Sequence, residues 1–336
     1  MEKLGIGIIG AGRIGRIHAI NLYRFFPEVE IVGIADIDLD RAMQLSREID
    51  NKKVFDDPTA LINHPDVHAI LICSSTDTHT DLIIKAAKAE KDIFCEKPIA
   101  LDIELIDEAL TAVEESNVKL FVGFNRRFDP NFKKARELVL SGKIGKPHIL
   151  KITSRDPEPP PIEYVKVSGG IFADMTIHDF DMARYLLNDE IVEVYATGNV
   201  LIDEKIMEYD DVDTAITVLK FRGGSMGVID NSRKAVYGYD QRIEIFGSDG
   251  MISVNNKLED ETMIANSRSF QISKPLYFFL ERYQEAYLNE MKEFVSSIIN
   301  NSNPPVSGMD GKIAILIAEA AKKSLKERKP IKLEYQ

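Results

Sequence analysis

The chain has 336 residues, of which 44% are hydrophobic and 29% are charged, a composition typical of a globular protein long enough for two domains. The formal net charge of −12 argues against binding to nucleic acid or to an anionic membrane surface, because both need basic patches. No apolar run reaches the roughly 18 residues of a spanning helix, and the N-terminus lacks the order of a secretory signal. We therefore expect a cytoplasmic protein in which Cys73 and Cys95 are buried free thiols.

The N-terminal residues have the pattern of a dinucleotide-binding turn. An apolar run at 6–9 leads into Gly10-Ala11-Gly12-Arg13-Ile14-Gly15, and an amphipathic segment follows. The pattern predicts a strand, a tight turn and a helix, in that order. Gly10 would allow the sharp turn, Gly12 the close approach of a pyrophosphate, and Gly15 the close packing of helix on strand.

An acidic residue follows the second predicted strand. Asp36 ends the apolar run 31–35, about 20 residues after the glycines, where a carboxylate would accept hydrogen bonds from the ribose hydroxyls. Such a carboxylate repels a 2′-phosphate, which favours NAD over NADP, and Arg41 could soften that preference. The alternative is an ordinary structural turn with Asp36 as a helix cap.

The remaining residues up to Phe124 alternate between strand and helix patterns, which predicts an α/β domain with a doubly wound parallel sheet at residues 1–124. Three strands are predicted at 69–73, 93–95 and 120–124. Polar residues follow each of them, and ligands bind outside the carboxyl ends of strands in such sheets. The polar residues at or just beyond these ends are Ser74, Thr76, His79, Glu96, Lys97 and Asn125.

From residue 125 onward the pattern changes. A helix at 131–140, a strand at 148–154 and a proline-rich loop at 156–161 precede a helix that runs from Gly169-Gly170 to about Leu187. Strands without crossover helices then predict a mostly antiparallel open sheet, at 192–199, 213–221, 225–231, 242–246 and 251–255. Two helices, 279–300 and 311–327, close an α+β domain at 125–336, and the last of them could pack back on the first domain.

Three side chains are candidates for a reaction centre. Lys97 follows a strand at the edge where a nicotinamide would lie, while Asp174 and His178 are four residues apart and project from one side of a predicted helix. His178 has the intrinsic pKa of a general base, Lys97 could stabilise a developing alkoxide, and Asp174 could orient the imidazole. The alternatives are a solvated helix face, a salt bridge at Lys97, or a divalent metal held by Asp174, His178 and Asp181.

Together these residues resemble the Gfo/Idh/MocA oxidoreductase family over essentially the whole chain, and most closely its inositol 2-dehydrogenase branch. The shared features are the glycine turn, Glu96-Lys97-Pro98, and Gly169-Gly170 followed by Asp174 and His178. Longer segments also match, namely 124–129, 154–157, 169–184, 231–233 and 237–242.

The resemblance implies an enzyme that oxidises myo-inositol at its axial hydroxyl with NAD and uses Lys97, Asp174 and His178 as its catalytic set. Arg127, Asp156, Asp181 and Tyr237 would contact the polyol as well, and the strand-end residues would flank the cofactor with no metal required. The family commonly forms tetramers through the open sheets of the second domains. Two alternatives stay open: a dehydrogenase of another cyclitol or sugar, and a protein that senses NAD without turnover.

Overall fold

The computed structural model describes residues 3–335, which divide into two compact units. The first unit contains the chain up to Asn125 together with Glu285–Ile313, and the second contains Arg126–Gln284 and the chain from Ala314 onward. The expected boundary after residue 124 lies next to this division. The expected second domain, 125–336, differs from the second unit because one internal segment belongs to the first.

Strands and helices alternate along the first 125 residues, and strands predominate between residues 190 and 275. The strands are β1 Leu4–Ile9, β2 Val29–Ala35, β3 Lys53–Phe55, β4 Ala69–Ile72, β5 Asp92–Glu96, β6 Leu120–Gly123, β7 Pro147–Arg155, β8 Ile191–Asn199, β9 Thr214–Phe221, β10 Met226–Ser232, β11 Asp240–Gly247, β12 Met251–Val254, β13 Met263–Ala265, β14 Phe270–Ile272 and β15 Ile331–Lys332. The α-helices are α1 Arg13–Phe25, α2 Leu39–Glu48, α3 Pro58–Ile62, α4 His79–Lys88, α5 Ile103–Glu115, α6 Pro130–Leu140, α7 Ile162–Val165, α8 Ile177–Leu187, α9 Phe279–Arg282, α10 Gln284–Ile299 and α11 Gly308–Glu327.

The first unit is built on a six-stranded sheet with the order β3-β2-β1-β4-β5-β6, in which every neighbouring pair is parallel. All four residues of β4 are fully buried, as expected for a strand covered on both faces. The strand order reverses between β1 and β4, and this is the point at which a doubly wound sheet opens a crevice for a dinucleotide. The predicted Rossmann-type sheet is confirmed.

The segment Glu285–Ile313 belongs to the first unit because its apolar side chains complete the core there. The ring of Phe294 on α10 lies 5.6 Å from that of Phe94 and 5.9 Å from that of Phe121, measured between centroids. The backbone N–H of Val122 donates to the carbonyl of Val306 at 3.1 Å. A contact between residues so distant in sequence leaves no local pattern, so the periodicity of the chain could not place this segment.

The second unit contains a seven-stranded sheet with the order β12-β11-β7-β10-β9-β8-β15. All its pairings are antiparallel except β7 with β10, which confirms the prediction of a mostly antiparallel sheet. The prediction omitted α7, the hairpin β13–β14 and β15, and it merged α9 with α10. Those strands and α7 have only two to four residues each, too few for a periodic pattern.

Within residues 3–335, none of the helices combines the length and the apolar character that crossing a bilayer requires.

Candidate active site

The glycine turn after β1 gives each of its three glycines a different environment. Gly10 has a φ of +100°, and a Cβ there would lie 2.5 Å from the carbonyl carbon of Cys73. A Cβ at Gly15 would lie 1.9 Å from the carbonyl oxygen of Gly10, whereas a Cβ at Gly12 would meet nothing within 4 Å. The first and third glycines are therefore required by the protein's own packing, and the second faces open space.

The open space at Gly12 lies at the start of α1. Gly12 is the N-cap of this helix, no side chain caps it, and its first turn contains no acidic residue. The first backbone N–H groups and the positive end of the helix dipole therefore remain available to an anionic group. The chemistry of this position suits a pyrophosphate, and Ala11, Arg13 and Ile14 are the other residues of the turn.

Asp36 lies beside this turn at the end of β2. Its Oδ2 accepts a hydrogen bond from the backbone N–H of Ala11 at 2.6 Å, and its Oδ1 accepts one from the N–H of Asp38 at 2.8 Å. The cap of α2 is Asp38, which accepts from the N–H of Arg41, so the alternative in which Asp36 caps the helix is wrong. The side chain of Arg41 is exposed and lies 3.5 Å from the carboxylate of Asp38.

The other strand-end residues differ in exposure. Ser74 and Thr76 are partly exposed, and the hydroxyl of Ser74 lies 2.7 Å from that of Thr78. His79 is only 1% exposed, with its Nδ1 2.8 Å from the carbonyl oxygen of Pro98 and its Nε2 3.1 Å from that of Ser74. Burial lowers the pKa of His79. This histidine thus joins the end of β4 to the segment after β5.

The end of β5 is held from inside the first unit. Oε1 of Glu96 lies 2.8 Å from Nε2 of His18 on α1, and Lys97, which is partly exposed, follows Glu96 directly. Asn125 is 3% exposed and begins a short 3-10 turn, Asn125–Phe128. The interactions of Glu96 therefore fix the part of the chain from which Lys97 projects.

In the second unit, Asp174 and His178 share a face of one continuous helical stretch. Between Ile171 and Ala183 they are the two residues that are not buried, and their spacing of four places them on one side. Phe172–Thr176 is π-helical and leads directly into α8. Single π-turns often occur at functional sites, and this one was not predicted.

Two residues outside the predicted site hold Asp174. The hydroxyl of Tyr164 on α7 donates to its Oδ1 at 2.8 Å, and Nη1 of Arg233, after β10, donates to its Oδ2 at 3.1 Å. Arg233 is only 1% exposed, so its charge is compensated inside the protein. Its segment, 231–233, was among those that carry the family resemblance, whereas no signal in the sequence singled out Tyr164.

The four residues suggested for polyol contacts have different environments. Both carboxylate oxygens of Asp181 accept from the guanidinium of Arg127, at 2.9 and 2.5 Å, and both residues are buried. Asp181 is thus engaged in a bidentate ion pair. The hydroxyl of Tyr237 donates to Asp240 at 2.6 Å and accepts from Arg155 at 3.1 Å. Asp156 stands apart, because burial raises its pKa to about 6, the charge of Asp174 adding to the effect and that of Arg233 opposing it.

A buried polar network anchors the helix to the sheet. Nη1 of Arg126 donates to Oδ1 of Asp179 at 2.6 Å, and Nδ2 of Asn231 donates to Oδ2 of Asp179 at 2.9 Å. Asn231 in turn accepts from the hydroxyl of Thr176 at 2.8 Å. The network joins the π-turn, α8 and β10. It therefore fixes the rotation of the helix that carries Asp174 and His178.

The parallel sheet with its glycine turn is that of an NAD-binding Rossmann domain, and the chain is an oxidoreductase. Residues 4–124 match the family model described as "Oxidoreductase family, NAD-binding Rossmann fold", and residues 132–253 match "GFO/IDH/MocA C-terminal domain". The chain belongs to the GFO/IDH/MocA oxidoreductase family, which confirms the resemblance.

Full-length relatives agree with this assignment. The chain is 52% identical to a myo-inositol 2-dehydrogenase of Thermotoga maritima, over 98% of each chain. It is 38% identical to a scyllo-inositol 2-dehydrogenase (NAD(+)) of Bacillus subtilis, over 100% of this chain and 98% of the relative. The solved structure of the myo-inositol dehydrogenase of Lactobacillus casei in complex with NAD(H) and myo-inositol superposes with a TM-score of 0.89 at 26% identity, and covers 99% of this chain and 98% of that one.

Proposed function

We propose that this protein oxidises a cyclic polyol with NAD, and that its substrate is myo-inositol, converted to the 2-keto inosose. The observation that carries the proposal is the full-length identity of 52% to a myo-inositol 2-dehydrogenase. The glycine turn with Asp36 and the face with Asp174 and His178 supply the two parts that such an enzyme needs.

The catalytic roles are our proposal and follow from the chemistry of the side chains. NAD, when bound, supplies the acceptor for the hydride that leaves the carbinol carbon. His178 accepts the hydroxyl proton, since a neutral imidazole is a competent base near neutral pH. Asp174 orients His178 and stabilises its charged form, and the bonds from Tyr164 and Arg233 keep that carboxylate in place. Lys97 stabilises the developing alkoxide.

The binding roles are also proposed from the chemistry of the side chains. The cofactor would be held by the glycine turn, by Asp36 and by the strand-end residues Ser74, Thr76, Glu96, Lys97 and Asn125, with His79 supporting them from the interior. Arg127, Asp156 and Tyr237 are the proposed polyol contacts. Asp181 acts through Arg127, because both of its oxygens accept from that guanidinium.

Steady-state kinetics on myo-inositol, scyllo-inositol, other inositol isomers and glucose, each with NAD, test the proposal. Myo-inositol should have the highest kcat/KM. The second candidate is scyllo-inositol, favoured by the relative that is 38% identical over the whole chain. A higher kcat/KM for scyllo-inositol would replace the first candidate by the second. NAD binding with no NADH formed from any polyol would instead indicate a sensor of the cofactor.

We also propose that the protein works in the cytoplasm as a homotetramer in inositol catabolism. Support for assembly comes from apolar side chains that project from the open sheet of the second unit. Ile216 and Val218 on β9 are 48% and 45% exposed, and Tyr195 on β8 is 37% exposed. Contiguous exposed apolar surface of this kind marks protein interfaces. Light scattering coupled to size exclusion measures the mass, and a monomer would contradict the proposal.

A further inference from the structure

Three ionisable side chains meet inside the first unit. They are His18 on α1, Glu96 at the end of β5, and Glu290 on α10. One nitrogen or oxygen atom from each lies within 4.8 Å of the corresponding atoms of the other two. His18 and Glu290 are fully buried, and the side chain of Glu96 is 14% exposed.

Aromatic rings pack against the imidazole of this cluster. The ring of His18 lies edge-on to Phe94 and Tyr287, at centroid distances of 5.0 and 5.7 Å. Within residues 3–335, no lysine or arginine forms an ion pair with Glu96 or Glu290. Titratable groups that interact electrostatically with these carboxylates include the imidazole of His79, which acts on Glu96, and the thiols of Cys73 and Cys95. Burial raises the pKa of both thiols and lowers that of His79.

Glu290 makes this cluster unusual. Neither of its carboxylate oxygens has a hydrogen-bond partner, although both are fully buried. Ionisation of a carboxylate in such a place would be opposed by the loss of hydration and by repulsion from the charge of Glu96. Burial raises the pKa of Glu290 well above its usual range, and the charge of Glu96 adds to the shift. Repulsion between two carboxylates this close favours a state in which one of them keeps its proton.

Glu96, in contrast, is held in one orientation. Its Oε1 lies 2.8 Å from Nε2 of His18, within hydrogen-bond distance. Its Oε2 packs so closely on Gly123 that a Cβ there would come within 2.9 Å of it. A second negative charge at Glu290 would repel this carboxylate and disturb the strand end that carries Lys97.

We propose that Glu290 is a positioning residue, held as a neutral carboxylic acid at neutral pH, that keeps the Glu96 carboxylate seated between His18 and Gly123. Glu96 then carries the charge of the cluster alone, and the end of β5 holds Lys97 in a constant position. The effect on turnover rests on the proposed function, in which Lys97 is a reacting group. The charge state of Glu290 does not depend on it.

Two substitutions separate a neutral acid from a charged one. Glu290→Gln mimics the neutral acid, because an amide keeps a donor and an acceptor of similar shape but cannot ionise. Glu290→Met fills the same space without a polar group. Glu285→Gln, at an exposed position of the same helix, is the matched control.

The first measurement is denaturant unfolding of the full chain between pH 5 and pH 8.5. Because folding raises the pKa of Glu290, the contribution of this residue to stability is complete below the ordinary carboxyl pKa and is lost as the pH rises through the folded value. The unfolding equilibrium constant of the wild type relative to Glu290→Gln should therefore grow by up to tenfold per pH unit. Glu285→Gln should show a constant ratio.

The second measurement is turnover with NAD and the best polyol, together with metal analysis of the purified protein. Glu290→Gln should keep kcat within about twofold, and Glu290→Met should lower kcat by about tenfold. Three results would each overturn the proposal. The first is a ratio of unfolding constants, wild type to Glu290→Gln, that does not change with pH. The second is a decrease in kcat in Glu290→Gln as large as that in Glu290→Met, and the third is one metal ion per chain that remains bound after chelation. A wild type inactive on every polyol would refute the proposed function and leave the unfolding test intact.

Discussion

Replacing Gly12 by alanine should separate cofactor binding from folding. Gly12 has a φ of −67°, which alanine adopts without strain, and its new Cβ would meet no atom of the protein within 4 Å. Alanine is a poorer N-cap than glycine, so Gly12→Ala should lower the free energy of unfolding by at most about 1 kcal/mol. The methyl group would nevertheless occupy the side from which a pyrophosphate approaches the helix N-terminus.

The loss of binding follows from that displacement. Moving the phosphates away from the first N–H groups of α1 removes at least one hydrogen bond to a charged group, which contributes about 1.5–3 kcal/mol. The dissociation constant for NAD should therefore rise by about tenfold to a hundredfold. Calorimetric titration with NAD measures this constant, and urea unfolding measures the stability of the same preparation.

Two other glycines serve as controls. Gly10→Ala should destabilise the fold by about 2 kcal/mol or more, about 1–2 kcal/mol of it from the left-handed backbone and the rest from the contact with Cys73. Gly250→Ala, whose Cβ would make one ordinary contact of 3.8 Å with Ile144, should change neither quantity. If Gly12→Ala binds NAD as the wild type does, the pyrophosphate does not pass over this turn and the reasoning is refuted.

Four further predictions concern the proposed cofactor residue Asp36 and three residues of the second unit. Asp36→Ala should weaken NAD binding by about tenfold to a hundredfold through the loss of charged hydrogen bonds, and titrations with NAD and NADP should show a smaller preference for NAD. His178→Asn should lower kcat by about a hundredfold or more, with NAD affinity nearly unchanged, as single-turnover and binding assays would show. Arg233→Lys should lower kcat by about tenfold, because lysine keeps the charge but loses the geometry that holds Asp174. The last change is Asp156→Asn. Folding raises the pKa of Asp156 to about 6, so the stabilising contribution of this carboxyl in the wild type is lost as the pH rises through that value. Between pH 4 and pH 7 the free energy of unfolding of the variant, measured in urea, should therefore increase by up to about 3 kcal/mol relative to the wild type.

Matched substitutions at exposed positions control for general effects. Asp40→Ala on α2 should keep the preference between NAD and NADP, and His148→Asn on β7 should keep kcat. An unchanged cofactor ratio in Asp36→Ala would remove this residue from the ribose site. Near-normal turnover in His178→Asn would mean that another group is the base. If the difference in unfolding free energy between Asp156→Asn and the wild type does not change with pH, the carboxyl of Asp156 titrates normally.

The sequence predicted the parts of the site that depend on local order. The strand, turn and helix around Gly12 follow from glycine spacing and apolar periodicity, and the structure has them at the expected positions. The shared face of Asp174 and His178 follows from helical spacing, and their exposure relative to their neighbours agrees with it. Tyr164 could not be found in this way, because its contact with Asp174 joins separate segments of the chain.

What the sequence by itself determined is the alternation of strands and helices, the position of the glycine turn and the helix that carries Asp174 and His178. Each of these is encoded within one stretch of chain, by its period and its turn residues. The tertiary structure alone decided that β7 lies between β10 and β11, that Glu285–Ile313 returns to the first unit, and that Glu290 lies beside Glu96. The physical reason is that pairing between distant segments is chosen by the packing of side chains and the burial of charge, and neither is visible in any local pattern.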